Sequence, residues 1–160
     1  MFYFPQLARR NGKHKVNIHI IEGDLESAYH ASIGIPEFEP PYKMEEYSKR
    51  LNSVPHLILT AVLEENPVGF MIGYNRFSDG SFYNWIGGVL CIYRQKGLAS
   101  KLVDYQEDWA KTNGFHSIKL KTRRKHEAMI SFSLNRGYSI IDAESKPDLR
   151  ETRLWMEKQL

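Results

Sequence analysis

Residues 92–114, IYRQKGLASKLVDYQEDWAKTNG, decide how the chain folds. Just after Gly97 a helical pattern begins: Leu98, Leu102, Tyr105 and Trp109 share one face, with Ala99, Val103, Gln106 and Ala110 beside them. Lys101, Asp104, Asp108 and Lys111 fall on the far side, and Gly114 is a ready C-terminal stop. The spacing predicts a helix from about 97 to 113 with Tyr105 on its buried face. The charge pattern is at odds with that helix. Arg94, Lys96 and Lys101 crowd its start, already the positive end of its dipole. A bound polyanion resolves the conflict. The first helix amides lack intrahelical acceptors and can hold phosphate oxygens, Gly97 lets the backbone turn them toward one point, and small Ala99 leaves room.

Two familiar phosphate motifs are excluded by spacing. GLASK lacks the Gly-x-x-x-x-Gly-Lys-Ser/Thr frame of a P-loop, and Gly97 is not followed by the further glycine of a dinucleotide fingerprint. A helix start with solvated cations remains the plainer alternative.

Working outward, KVNIHII alternates as a half-buried strand, and Asp24 is placed to cap a helix carrying Leu25, Ala28, Tyr29 and Ser32. Pro36, Pro40 and Pro41 make the next segment irregular, and KMEEYSKRL reads as a short amphipathic helix. HLILTAVL and VGFMIGYNRF are strands joined by a turn at EENP, and SDGS is a hairpin signal. FYNWIGGVLCI is a strand in which Gly87 and Gly88 suggest a bulge or the close approach of a ligand. FHSIKLKT, HEAMISFSLNR, YSIIDA and TRLWME complete the chain as strand, helix, strand, strand. The order predicts one mixed α/β domain over residues 1–160, with residues 1–13 as an N-terminal extension.

The chain has 160 residues, 42% apolar and 26% charged, with a formal net charge of +3. That is a globular composition, too mildly basic for a dedicated nucleic-acid binder. The densest basic run, KLKTRRKH at 119–126, has little aromatic interleaving for base stacking, so nucleic acid is not an expected partner. A single cysteine, Cys91, forbids an internal disulfide and a zinc cluster, and no metal is expected. Flanked by Leu90 and Ile92, it reads as a small buried hydrophobe. The opening MFYFPQLARR is not a signal peptide, and no apolar run is long enough to span a bilayer. A cytoplasmic location is expected, with no membrane partner. A homodimer through an exposed sheet face or the last strand is compatible with the pattern.

Arg94-x-x-Gly97-x-Ala99 resembles the Gln/Arg-x-x-Gly-x-Gly/Ala motif of the GNAT superfamily of acyl-CoA N-acetyltransferases. The resemblance extends from about Val16 to the C-terminus, with MISFSLNRGYSII similar to the family's later helix and Gly-Phe pair, here Gly137-Tyr138. It implies a central, mostly antiparallel twisted sheet of about six to seven strands with helices on both faces. It also implies acetyl-CoA as cosubstrate, its pyrophosphate held by backbone amides of Gln95, Lys96, Gly97, Leu98, Ala99 and Ser100, with charge-assisted contacts from Arg94 and Lys96. The strand around Val89, Leu90 and Cys91 would splay from the next to receive pantetheine, and an amide near Leu90 or Cys91 would polarise the thioester carbonyl. The acceptor implied is a small-molecule, peptide or protein amine attacking directly.

The resemblance breaks at the chemistry. Many family members carry a tyrosine acid four residues before the Gly-Phe pair; here that residue is Ser133, with non-donating Phe132 beside it. His126 stands where an asparagine is common. Residues 81–92 contain no Asp, Glu or His, so the strand base is absent. Tyr83 and Ser133 are the catalytic candidates, Asn84 is a second residue able to position water, and Glu37, Glu39 and His56 are candidates for the acceptor side. A non-catalytic acyl-CoA-binding module is the competing class.

Overall fold

The computed structural model describes residues 17–160; the expected N-terminal extension, 1–13, and Val16 at the start of the first strand lie outside them. The elements are β1 (Ile18–Glu22), α1 (Leu25–Ile33), a 3-10 turn (Pro36–Phe38), α2 (Met44–Leu51), β2 (His56–Leu63), β3 (Asn66–Tyr74) and β4 (Ser81–Val89). A second 3-10 turn (Cys91–Tyr93) leads to α3 (Leu98–Thr112), β5 (Ser117–Arg123), α4 (Glu127–Asn135), β6 (Ser139–Glu144), a third turn (Leu149–Glu151) and β7 (Arg153–Gln159). Asp24 caps α1, accepting from the Ser27 amide at 3.0 Å.

The seven strands form one sheet in the order β1-β2-β3-β4-β5-β7-β6. Among the described residues only the β4–β5 pair is parallel. Its crossover is α3, as a parallel pair requires. One face packs Leu57, Leu59, Phe82, Ile118 and Met156 against Leu98, Leu102 and Val103 of α3 and Met129 and Phe132 of α4. The other packs Ile58, Phe70, Ile72 and Tyr83 against Ala28 and Ala31 of α1 and Tyr47 and Leu51 of α2. Helices therefore cover both faces, as expected.

Three expectations need correction. Tyr105 is 38% exposed, its hydroxyl donating to Glu22 at 2.7 Å. The buried stripe of α3 runs along Leu98, Leu102, Gln106 and Ala110 with Val103 beside it, an i+4 ridge that leaves Tyr105 on the rim. β4 ends at Val89 rather than at Ile92, and Cys91 is exposed in the following 3-10 turn, not buried. The irregularity of β4 lies not at its glycines but at Trp85, because Ile72 pairs with Ile86 and Gly73 with Asn84. Gly87 and Gly88 pair regularly with Met71 and Phe70. A Cβ on Gly88 would come within 2.9 Å of Ile35 Cδ1 and 3.3 Å of the Phe38 ring, so the chain's own α1–α2 connection packs closely over that glycine.

Candidate functional site

A wedge opens where β4 and β5 part. Their pairing runs only from Ser81↔Ser117 to Asn84↔Leu120, although β4 continues to Val89 and β5 to Arg123. Beyond Leu120, β5 pairs with β7 alone. The physical cause is the bulge at Trp85, one residue past the last pair, which bends β4 and increases its twist. The same extra residue places Trp85 and Ile86, adjacent in sequence, on one face.

Strand alternation then fixes which backbone groups face the opening. The Leu90 amide donates to the Val68 carbonyl at 2.9 Å, so even positions at the end of β4 bond to β3. The groups of Gly87 and Val89 therefore point into the wedge. The carbonyl-polarising amide expected near Leu90 or Cys91 is thus not that of Leu90, which is already spent on β3. The Val89 carbonyl accepts from Arg94 Nε at 2.9 Å.

The wedge leads to the start of α3. Gln95 (φ 59°) and Gly97 (φ 78°) take left-handed backbone conformations that turn the chain sharply before Leu98. The first intrahelical bond is Lys101 N–H to the Gly97 carbonyl, and no side chain caps the helix. The amides of Leu98, Ala99 and Ser100 precede that bond. A Cβ on Gly97 would meet nothing within 4 Å, so the cradle opens outward. Lys96 lies over the Tyr93 ring at 5.5 Å. Uncapped amides and an open glycine suit the oxygens of a pyrophosphate. Arg94 has a different partner from the one its position suggests, since its guanidinium forks onto Glu37 at 2.7 and 2.8 Å.

The catalytic candidates are not brought to an open centre. Ser133 is fully buried in α4, its Oγ without a partner among the described residues. Asn84 is buried with its amide toward Met71. Tyr83 does lie beside the wedge apex, but buried beneath the Arg76 guanidinium at 4.9 Å, and burial pushes its hydroxyl above its ordinary range. His56 lies at the start of β2 in a hollow with Ser48, Lys49 and Asn52. Glu39 is exposed, and Glu37 is committed to Arg94. His126 precedes α4, where burial, then Lys125 and Arg123, hold its imidazole below the ordinary value and keep it neutral at pH 7.

The sequence reading missed an aromatic floor on the α1–α2 face at the apex. Trp85 packs with Tyr42, Tyr47 and Tyr74 at ring separations of 5.6, 5.2 and 5.9 Å. Trp155 packs with Phe77 and Tyr83. Arg50 lies 4.7 Å over Trp85, and Lys121 lies 4.7 Å over Trp155. The signal was present in Phe82-Tyr83-Asn84-Trp85-Ile86, whose apolar residues break strict alternation at the bulge.

This geometry agrees with comparison to known proteins. The model of the Acetyltransferase (GNAT) family matches residues 23–138, and the chain belongs to that family. Its fold is shared with the ribosomal-protein-S18-alanine N-acetyltransferase of Escherichia coli, at TM-score 0.76 and 17% identity over 89% of this chain and 94% of that one. Ard1 from Thermoplasma volcanium matches at TM-score 0.74 and 15% identity, covering 89% and 97% of the two chains. The PaiA N-acetyltransferase of Thermoplasma acidophilum, solved with coenzyme A, matches at 0.72 and 18%, covering 90% and 99%. No curated protein sequence matches this one.

Proposed function

We infer that the protein transfers an acetyl group from acetyl-CoA to a primary amine. The observation that carries this reading is the continuity of the wedge past Asn84 and Leu120 with the uncapped start of α3. In it the amides of Leu98, Ala99 and Ser100, with Lys96 nearby, hold the pyrophosphate. The backbone of Gly87 and Val89 takes the pantetheine amides as an added strand would. Acetyl-CoA supplies the acyl group as a thioester, whose C–S bond breaks as the acceptor nitrogen forms its C–N bond. Arg94 braces the end of β4 through Val89 and Glu37 rather than gripping phosphate. The acceptor approaches over the Trp85–Trp155 floor, its surplus proton passing to water, since residues 81–92 carry no carboxylate and Glu144 is held by Lys121, Arg153 and Trp155. Among the described residues no helix is long and apolar enough to cross a membrane, which is compatible with a cytoplasmic site of action.

Burial of Ser133 and the covering of Tyr83 favour a second reading, an acyl-CoA-binding module without turnover. Thermal unfolding with and without millimolar acetyl-CoA, with ATP as control, tests the shared step, because a ligand of the folded state alone raises the midpoint. Thiol release with an amine panel then separates enzyme from binder. No acetyl-CoA-specific shift would overturn both readings.

A further inference from the structure

We propose that the acceptor site selects an amine carrying a carboxylate close to its nucleophilic nitrogen, as an amino acid does; this rests on the acetyl-transfer reading above. The register defines the place. Tyr83 pairs with Lys119 across β4 and β5, so both side chains share a face. Two residues on, Trp85 and Lys121 are the first side chains of that face beyond the last paired residues. They stand at the wedge apex, where the acceptor nitrogen must arrive.

The charge around that apex is positive. Arg50 lies over Trp85, Arg76 over Tyr83 at 4.9 Å and over Trp155 at 5.8 Å, and Lys121 over the same Trp155 ring. Arg153 is adjacent. These four cations face two carboxylates. Glu46 takes Arg50 at 2.7 Å. Glu144 lies 3.7 Å from Lys121 and 3.8 Å from Arg153 while also accepting from Trp155 Nε1 at 2.8 Å. Among the described residues Arg76 has no carboxylate partner, and its guanidinium lies over the rings of Phe77, Tyr83 and Trp155. A guanidinium without a carboxylate partner suits the forked hydrogen bonds of an incoming carboxylate.

The two acids named for the acceptor side are elsewhere or neutralised, Glu37 on Arg94 and Glu39 in solvent, and Glu46 is taken by Arg50. A plain cationic amine would meet repulsion at this apex, whereas an amino-carboxylate brings the missing anion. The same field disfavours the ammonium form of the acceptor, which helps a site whose strand β4 carries no carboxylate. The rings supply apolar surface for the acceptor's carbon framework.

Trp85 and Trp155 line the site, so intrinsic fluorescence reads binding without acetyl-CoA. The full chain is titrated with five amino acids of different side chain and with the carboxamide of each, then assayed for thiol release from acetyl-CoA. In at least one pair the acid is expected to bind about ten-fold or more tightly than its amide, the scale of a charged hydrogen bond. Arg76→Gln and Lys121→Gln, checked for unchanged melting, are expected to bring that preference within about two-fold. Amides bound as well as acids in every pair, or a preference that survives both substitutions, would overturn the proposal. Loss of every response to acetyl-CoA would instead sink the acetyl-transfer reading, with the carboxylate preference still decided by fluorescence.

Discussion

Arg94 grips Glu37 with both prongs of its guanidinium, 57 positions away, and thereby ties the α1–α2 connection to the end of β4. That fork holds the Glu37 carboxyl below its ordinary 4.5, so the pair stabilises the fold above that pH and the contribution is lost as pH falls through the depressed folded value. Both side chains are more than a third exposed, at 39% and 38%, which limits the pair to about 1 kcal/mol. Glu37→Gln should therefore lie about 0.5–1 kcal/mol below wild type at pH 7. The two unfolding curves should converge as pH falls through the depressed folded value, where the carboxyl becomes protonated in both states. A gap that does not narrow as the solution is acidified would assign the effect to packing instead.

Gly97 tests the start of α3. With φ at 78°, any side chain there costs about 1–2 kcal/mol, although a Cβ would meet no atom. Gly97→Asn, which tolerates this conformation, should fold and keep most of the acetyl-CoA-induced rise in melting temperature. Gly97→Glu should fold about 1–2 kcal/mol less stable and lose that rise, its carboxylate standing where phosphate belongs. A full shift in Gly97→Glu would remove the loop from the binding site.

Gly73 supports the bulge from β3. A Cβ there would lie 2.4 Å from the Phe82 ring and 2.8 Å from the Tyr83 carbonyl, and Phe82 is fully buried with no room to yield. Gly73→Ala should cost about 1–3 kcal/mol by overpacking, measured as a fall in the denaturant midpoint. A neutral result would mean the strands slide past one another at the bulge.

Ser133 separates the family pattern from this protein's packing. Ser133→Tyr should not restore an acid, because its side chain enters a filled core and should destabilise the fold by about 1–3 kcal/mol. Ser133→Ala should keep stability within about 1 kcal/mol and leave turnover unchanged, since its hydroxyl has no partner among the described residues. A ten-fold loss of kcat in Ser133→Ala would return a catalytic role to this position.

Legibility in the sequence followed the range of the interaction involved. The α3 start, the Asp24 cap and the strands of the meander rest on contacts within a few residues, and each was readable from spacing. Tyr105 was misplaced because a helical wheel does not say which of two overlapping stripes faces the sheet. Cys91 was misplaced because two apolar neighbours look the same in a buried strand and in an exposed turn.

The sequence by itself determined the order of elements, the helix start at Gly97 and the absence of the usual tyrosine and strand carboxylate. Those are properties of residue type and local spacing. Only the tertiary structure decided that the bulge falls at Trp85, that Arg94 belongs to Glu37, and that Arg50, Arg76 and Lys121 converge at one apex. These cations come from α2, the β3–β4 connection and β5, and a register shift of one residue would send Lys121 to the opposite face of the sheet. Register is fixed by packing on both faces at once, which no local stretch of sequence contains.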